Sequence, residues 1–360
     1  MRLSEPNFSP RQIDWVRDFL ARPGQRYVLG RTPEGISVAR AVDIDGFIDD
    51  FFPDPTFLGK PCLRLADVPS EARIISAVVN SRANTAIGKL AKHGAGFIDY
   101  FAFRAISGLD LHEITFWKGA RAHFDAHRED YLWLFGRLAD QLSQDTYERV
   151  LNFRLNYDLG EMSTFACRID EMYLEPFLAI PRSGAVFFDV GAHNGRDSVR
   201  FLECYPEAGG CVLFEPIPNE AKSLSDRYAG EPKVEVVEAA VFDRNGRARF
   251  VTDGMASSLT DSGGDTEVTT LTLDSFCAGD RPLPNFIKMD IEGAELEALA
   301  GAASTIRRAR PNLAVSVYHR ASHIVEIPRL IDSFGVRYDY YLRHYSEGYA
   351  ETVLFAVPRA

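Results

Sequence analysis

Apolar residues along the chain fall into two spacings. Short apolar runs closed by turn or polar residues read as strands: Tyr27–Leu29, Ala41–Ile44 and Arg73–Val79 early in the chain, then Ala185–Asp189 and the runs at 211–215, 234–242, 285–290, 312–317, 336–342 and 351–357. Other segments carry the helical period. Leu296, Leu299, Ala303 and Ile306 stand at i, i+3, i+7 and i+10, as do Ile324, Ile327, Ile331 and Phe334, so each set predicts a helix with one buried face. Strands alternating with helices predict a wound α/β fold. Between about 110 and 180 the strand signal gives way to polar, aromatic-studded helical text, which predicts a helical connector or lid. The chain is therefore read as a small α/β domain over 1–110, a connector over 111–180 and a larger α/β domain over 181–360. Its last two runs, VRYDYYLR and ETVLFAVP, are close enough for a hairpin, so the sheet is expected to end with an antiparallel strand.

Composition narrows the function classes. A chain of 360 residues exceeds what one core usually sustains, in keeping with two domains, and 46% hydrophobic with 25% charged residues excludes a disordered or fibrous protein. The formal charge of −11 repels polyanions, so nucleic acid is not an expected partner. No run approaches the roughly 18 apolar residues of a membrane span, and MRLSEPNFSPRQ lacks a signal-peptide core. The expectation is a soluble cytoplasmic protein without a membrane span. Cys62, Cys167, Cys204, Cys211 and Cys277 show no paired spacing and read as reduced, mostly buried thiols.

The strongest local motif is Asp189-Val190-Gly191-Ala192-His193-Asn194-Gly195, between an apolar strand and a helical stretch. In wound sheets ligands sit beyond the carboxyl ends of strands, where glycine lets backbone approach closely. A dinucleotide fingerprint needs a second glycine where His193 stands, which disfavours pyrophosphate. The next strand ends in Glu215, whose carboxylate can accept both hydroxyls of a ribose, and Asp189 adds negative charge suited to a cationic ligand. A ribose diol, a cationic sulfonium and the absence of phosphate together describe S-adenosylmethionine.

A second cluster, Lys288-Met289-Asp290-Ile291-Glu292-Gly293-Ala294-Glu295, also places acids where a strand meets a helix. Asp290 and Glu292 are candidate catalytic carboxylates facing whatever Asp189 and Glu215 hold, whereas Glu295 reads as a complement to the helix dipole. A third strand end carries His319, whose pKa range suits proton removal from a hydroxyl. Arg343, His344 and Glu351 either overhang the same crevice or mark a solvated turn.

From Phe187 to Pro358 the chain resembles the FkbM-type S-adenosylmethionine-dependent methyltransferases, through FFDVGAHNGRDS, VLFEPIP, VTTLTLDSF, IKMDIEGAE, SVYHR and YLRHYSEGYAETVLFAVP. The resemblance implies a class I methyltransferase, Rossmann-like, with a seven-stranded sheet whose last strand is antiparallel. Carried over, it implies that Asp189, Gly191, Asn194 and Gly195 line the methionine part of the cofactor, Glu215 the ribose, and Glu238, Ala239 and Ala240 the adenine edge. It places Asp290, Glu292 and His319 on the acceptor side. Where longer members read YHKxxD, this chain has His323 in place of the acid. More faintly, YVLGRTPEG, DGFIDDFF, LGKPCL and IISAVVN resemble the nucleotide-binding-like domain ahead of sugar acetyltransferases, which implies a smaller Rossmann-like domain at the N-terminus. There Thr32 and Pro33 weaken phosphate binding, and Asp45, Asp49 and Asp50 read as a solvated edge.

The expected activity is O-methylation of a hydroxyl on a sugar, glycan or small secondary metabolite. Asp290 and His319 are the candidate bases, with Glu292 beside them. A divalent cation such as Mg²⁺ on Asp290 and Glu292 would be the alternative, but no third ligand is evident and no metal set is assigned. A nicotinamide-dependent oxidoreductase and a non-catalytic cofactor-binding protein are the competing readings; an oligomer is left open.

Overall fold

The computed structural model describes residues 1–6, 8–253, 256–260 and 266–359, with backbone alone at 250–253 and 256–260. The chain forms two units. The first comprises Met1–Ala122, Asp145–Ile169 and His344–Glu351, and the second His123–Gln144, Asp170–Arg343 and Thr352–Ala360. The stretch 111–180, expected as a connector, is helical over Ala120–Ala126, Arg128–Arg137 and Gln141–Asn156 but is divided between both units, because packing and not sequence order groups these helices.

In the first unit the strands are β1 (Arg26–Leu29), β2 (Gly46–Ile48), β3 (Thr56–Phe57), β4 (Lys60–Leu63), β5 (Arg73–Ser76) and β6 (Gly96–Asp99), in the sheet order β3-β4-β2-β1-β5-β6. Each described pairing is parallel except that of β3 with β4. The strand expected over Ala41–Ile44 is absent. Thr32 accepts the Gly35 N–H at 3.3 Å and, with Pro33 behind it, starts a helix that runs to Ala41 and closes through the Val42 N–H to Val38. Val38 and Val42 are thus buried at helical spacing, and the strand begins only at Gly46. Asp45 is exposed and Asp49 and Asp50 half-buried; they accept the Arg26 N–H, the Arg31 guanidinium and the Leu65 N–H.

The second unit is built on β7 (Val186–Val190), β8 (Gly210–Phe214), β9 (Val234–Val237), β10 (Ala240–Val241), β11 (Gly246–Asp253), β12 (Ala256–Thr260), β13 (Thr266–Leu271), β14 (Phe286–Met289), β15 (Asn312–Ser316), β16 (Tyr338–His344) and β17 (Thr352–Pro358). Seven of these form one sheet in the order β16-β17-β15-β14-β7-β8-β9. β7 lies centrally and pairs in parallel with β8 and β14, whereas β17 runs antiparallel to β15. Both faces of the central strand are covered, which is why it reads as an unbroken apolar run. Phe187 stacks between Phe201 and Phe286 at 4.5 and 5.0 Å, while Phe188 meets Phe214 and Phe276 on the other side.

The run 234–242 divides into β9 and β10, and β10 joins a separate four-stranded sheet, β10-β13-β11-β12, not anticipated from the sequence. The helix expected through Leu296 and Ile306 is two helices, Glu295–Ala300 and Ala303–Ala309. The break has a local cause. Gly301 packs so closely that a Cβ there would fall 2.0 Å from the Phe242 carbonyl oxygen, and the Asp274 carboxylate caps the second helix through the Ser304 and Thr305 N–H groups. The second expected helix is continuous over His323–Ser333 with Ile324, Ile327 and Ile331 buried.

Candidate active site

Four loops meet at the carboxyl ends of β7, β8, β14 and β15. The loop after β7 is tied across the sheet by the N–H groups of Gly191 and Ala192, which both donate to Phe214 O. Gly191 has φ 79°, and a Cβ on it would lie 2.1 Å from the Asp290 carbonyl oxygen, so only glycine lets this loop pass the end of β14. His193 also adopts a left-handed φ of 46°; its exposed ring contacts Glu220 at 3.0 Å while its N–H points inward.

That N–H donates to Glu215 Oε2 at 2.8 Å, and the Ile217 N–H donates to Glu215 Oε1 at 2.9 Å. Glu215 is 4% exposed, and burial pushes its carboxyl above the ordinary range against these two backbone donors. Each oxygen therefore keeps a lone-pair direction beyond its single backbone bond. Asn194 lies on the exposed side of the loop, its side chain accepting the Arg196 N–H. Glu238 is exposed just past β9, and Ala239 is buried with its N–H bonded to Val237 O.

Asp189 corrects the charge argument made from sequence. It is fully buried, accepts the Ser198 hydroxyl at 2.7 Å and pairs with Lys288 Nζ at 3.0 Å, so it brings no free negative charge to the loop. Lys288, on the neighbouring β14, also donates to Gly191 O at 2.6 Å. Burial alone would push its ammonium down, but Asp189, Asp197 and Asp290 hold it above its ordinary value. Loop, strand and charge are thus locked together by one lysine.

Asp290, Glu292 and His319 do come together. His319 Nε2 lies 3.4 Å from Asp290 Oδ1 and 3.5 Å from Glu292 Oε2, and Asp290 Oδ2 accepts the Tyr173 hydroxyl at 2.8 Å. Glu292 stands at φ 54°, a costly conformation for a residue with a Cβ, and the turn aims its carboxyl at the imidazole. Burial pushes Glu292 up to about 7, with Asp290 and Glu295 adding to the rise against His319. His319 moves up to about 9: burial would lower it, but Glu295, Asp290 and Glu292 favour the imidazolium.

Asp290, Glu295 and His319 bring one ligand-type atom each within 4.8 Å of one another. Glu295 Oε1 sits 2.7 Å from Nδ1, a hydrogen-bond distance, on the side of the ring away from Asp290 and Glu292. Arg343 and His344 are not a solvated turn: Arg343 is buried against Asp140 and Ser143 and lies over the Phe177 ring. His344 belongs to the first unit, where burial, with Arg154 adding to it, lowers its pKa to about 3.

With this geometry in place, comparison shows what this part of the chain resembles. Residues 189–340 match the model of the methyltransferase FkbM domain. The match covers less than half of the chain. Over 148 residues, 35% of this chain, the protein is 31% identical to 2-O-methyltransferase NoeI of Sinorhizobium fredii (strain NBRC 101917 / NGR234), spanning 60% of that relative's length. The crystal structure of methyltransferase FkbM from Methylobacillus flagellatus KT shares the fold, with a TM-score of 0.74 at 22% identity over 95% of this chain and 93% of that one. The family match begins at residue 189 and leaves the N-terminal unit outside it. No helix among the described residues is long and apolar enough to cross a membrane.

Sequence reading missed three residues of this crevice and its border. Tyr173, which reaches Asp290 from before β7, carries no motif. Lys288 was legible only as an oddity, a lysine inside an apolar strand. Glu295 was assigned to the helix dipole, although the repeated acid in IEGAE and the spacing of His319 and His323 were visible signals.

Proposed function

We propose that this protein is an S-adenosylmethionine-dependent O-methyltransferase acting on a hydroxyl of a sugar, glycan or small hydroxylated metabolite. The observation that carries the reading is the meeting, at one end of a sheet, of a buried carboxylate with two open acceptor directions and a proton-handling cluster of two acids and an imidazole. The FkbM domain match and the resemblance to a 2-O-methyltransferase support it. When bound, S-adenosylmethionine supplies an electrophilic methyl group. Glu215 would hold the ribose hydroxyls, and the loop from Gly191 to Gly195 would pass closest to the ligand.

The chain's own task is to align the acceptor hydroxyl and take its proton. Glu292 has a pKa pushed up to about 7, near neutrality, and its side chain is 39% exposed. We assign it as the general base. His319, protonated at neutral pH, then serves as the fixed cation that holds Asp290 and Glu292 in place.

The experiment is calorimetric titration of the protein with S-adenosylhomocysteine, beside Glu215→Ala and followed by transfer of a labelled methyl group to a panel of sugars and hydroxylated metabolites. Expected are binding by the wild type, at least tenfold weaker binding by the variant, and label on oxygen. A wild type that binds no S-adenosylhomocysteine would sink the assignment.

A further inference from the structure

A carboxylate in the first turn of a helix usually complements the dipole from the surface. Glu295 does not. It is fully buried, and Oε1 accepts the N–H groups of Ile291 and Gly293 at 3.1 and 3.3 Å while standing 2.7 Å from His319 Nδ1. Oε2 stands 3.2 Å from Nδ1 of His323, which is also fully buried. One carboxylate therefore joins the strained turn that carries Glu292 to two imidazoles reached from β15 and from the following helix.

We propose that Glu295 is a positioning residue for proton transfer: it acts through His319, holding Nδ1–H toward itself and so aiming Nε2–H at Asp290 and Glu292. The inference rests on the reading of this crevice as the methyl-transfer site. An imidazole has two chemically distinct nitrogens, and the bond made by one decides what the other presents. Here the bond at Nδ1 is short and shielded from water, whereas Nε2 faces both acids at 3.4 and 3.5 Å. The N–H bonds from Ile291 and Gly293 tie the same carboxylate to both sides of Glu292, so base and cation share one support.

Among the described residues, the charged and titratable groups around the imidazole include Glu295 on its own helix, Asp290 and Glu292 from the turn after β14, His323 from the next helix, and Tyr318, whose ring lies 4.1 Å away. Lys288 acts on Asp290 and His193 on Glu292 from one step further out. Glu295 is the largest of the influences that favour the imidazolium, ahead of both other acids.

The test follows the His319 imidazole by NMR in the ¹⁵N-labelled full chain, with His319→Gln for assignment, in wild type and Glu295→Gln. Calorimetric titration with S-adenosylhomocysteine runs alongside. The wild-type ring is expected to titrate near 9 with a proton held on Nδ1. In Glu295→Gln the titration should fall by about 1 to 3 pH units, with S-adenosylhomocysteine affinity retained within about threefold. A folded Glu295→Gln whose His319 titrates as in wild type would overturn the proposal, because a merely structural Glu295 would cost stability without moving the ring. Should the variant fail to fold, the wild-type titration decides: a value near 6.5 overturns the proposal and one near 9 with Nδ1 protonated supports it. Failure of the wild type to bind S-adenosylhomocysteine, with the His319 titration as expected, would instead remove the functional reading beneath it.

Discussion

Both units place a glycine-led loop after a central parallel strand, and both follow the next strand with an acid, yet the two crevices are used differently. In the first unit Asp49 stands just past β2, where it accepts the Arg31 guanidinium at 2.8 Å, and Arg31 lies over the Phe52 ring. Thr32 donates to Ala77 O, and residues His344–Glu351 press onto the loop after β5 through the Glu347 N–H to Ser81 O and the Tyr349 N–H to Val79 O. The Glu347 carboxylate takes the Thr85 N–H and hydroxyl at 2.6 and 2.7 Å, at the start of the helix Ala83–His93. In the second unit Glu215 receives backbone N–H groups, and Asp290 and Glu292 confront one imidazolium. A strand-end crevice in a parallel sheet is a site only if its polar groups are left for a ligand. Here one end is filled by the chain itself and the other keeps unmatched acceptors.

The largest effect that would test this contrast is at Lys288. Lys288→Met leaves Asp189 buried without its cation and should lower stability by about 3 to 5 kcal/mol in urea unfolding, whereas Arg31→Met, at a part-exposed pair, should cost about 1 kcal/mol or less. Equal losses would erase the distinction. Next, Glu292→Gln is expected to reduce kcat by about 10²-fold or more while S-adenosylhomocysteine affinity stays within threefold. An unchanged kcat would move the base to Asp290.

The pH dependence has a definite sign. Turnover should rise as Glu292 loses its proton through about 7 and fall as His319 loses its own through about 9. His319 has a folded pKa above its unfolded value near 6.5, so its contribution to stability is complete below 6.5 and lost as pH rises through 9. Unfolding midpoints at pH 6 and 9.5 measure this, and the difference should shrink in His319→Gln to what Glu292, raised to about 7, still contributes. The smallest effect is in the first unit. Glu347→Gln should cost about 1 kcal/mol, as for a lost helix cap, and leave S-adenosylhomocysteine binding untouched.

Much of the site was legible because strand-end acids and glycines interrupt apolar runs: Gly191, Glu215, Asp290, Glu292 and His319 all stand at the loops that meet. The neutral character of the Asp189 surroundings was not legible, because the cancelling charge arrives from Lys288, 99 residues later, through strand register alone. Glu295 was misread for a related reason. Its position in a helix's first turn accounts for an acid locally, and only the packing of His319 and His323 beside it brings two imidazoles to the same carboxylate. The break at Gly301 was equally hidden, since Leu296 to Ile306 keep the helical period while Asp274 caps a new helix from outside.

By itself the sequence determined the alternation of strands and helices and the loops at which acids and glycines interrupt apolar runs, because period, glycine and charge are local properties. The tertiary structure decided which charges survive. Lys288 cancels Asp189, Arg31 cancels Asp49 and Glu347 occupies a helix start of the first unit, while Glu295, Asp290 and Glu292 favour the imidazolium of His319. Such cancellations depend on which strands lie side by side and on how far water is excluded, and neither is written in the spacing of residues along the chain.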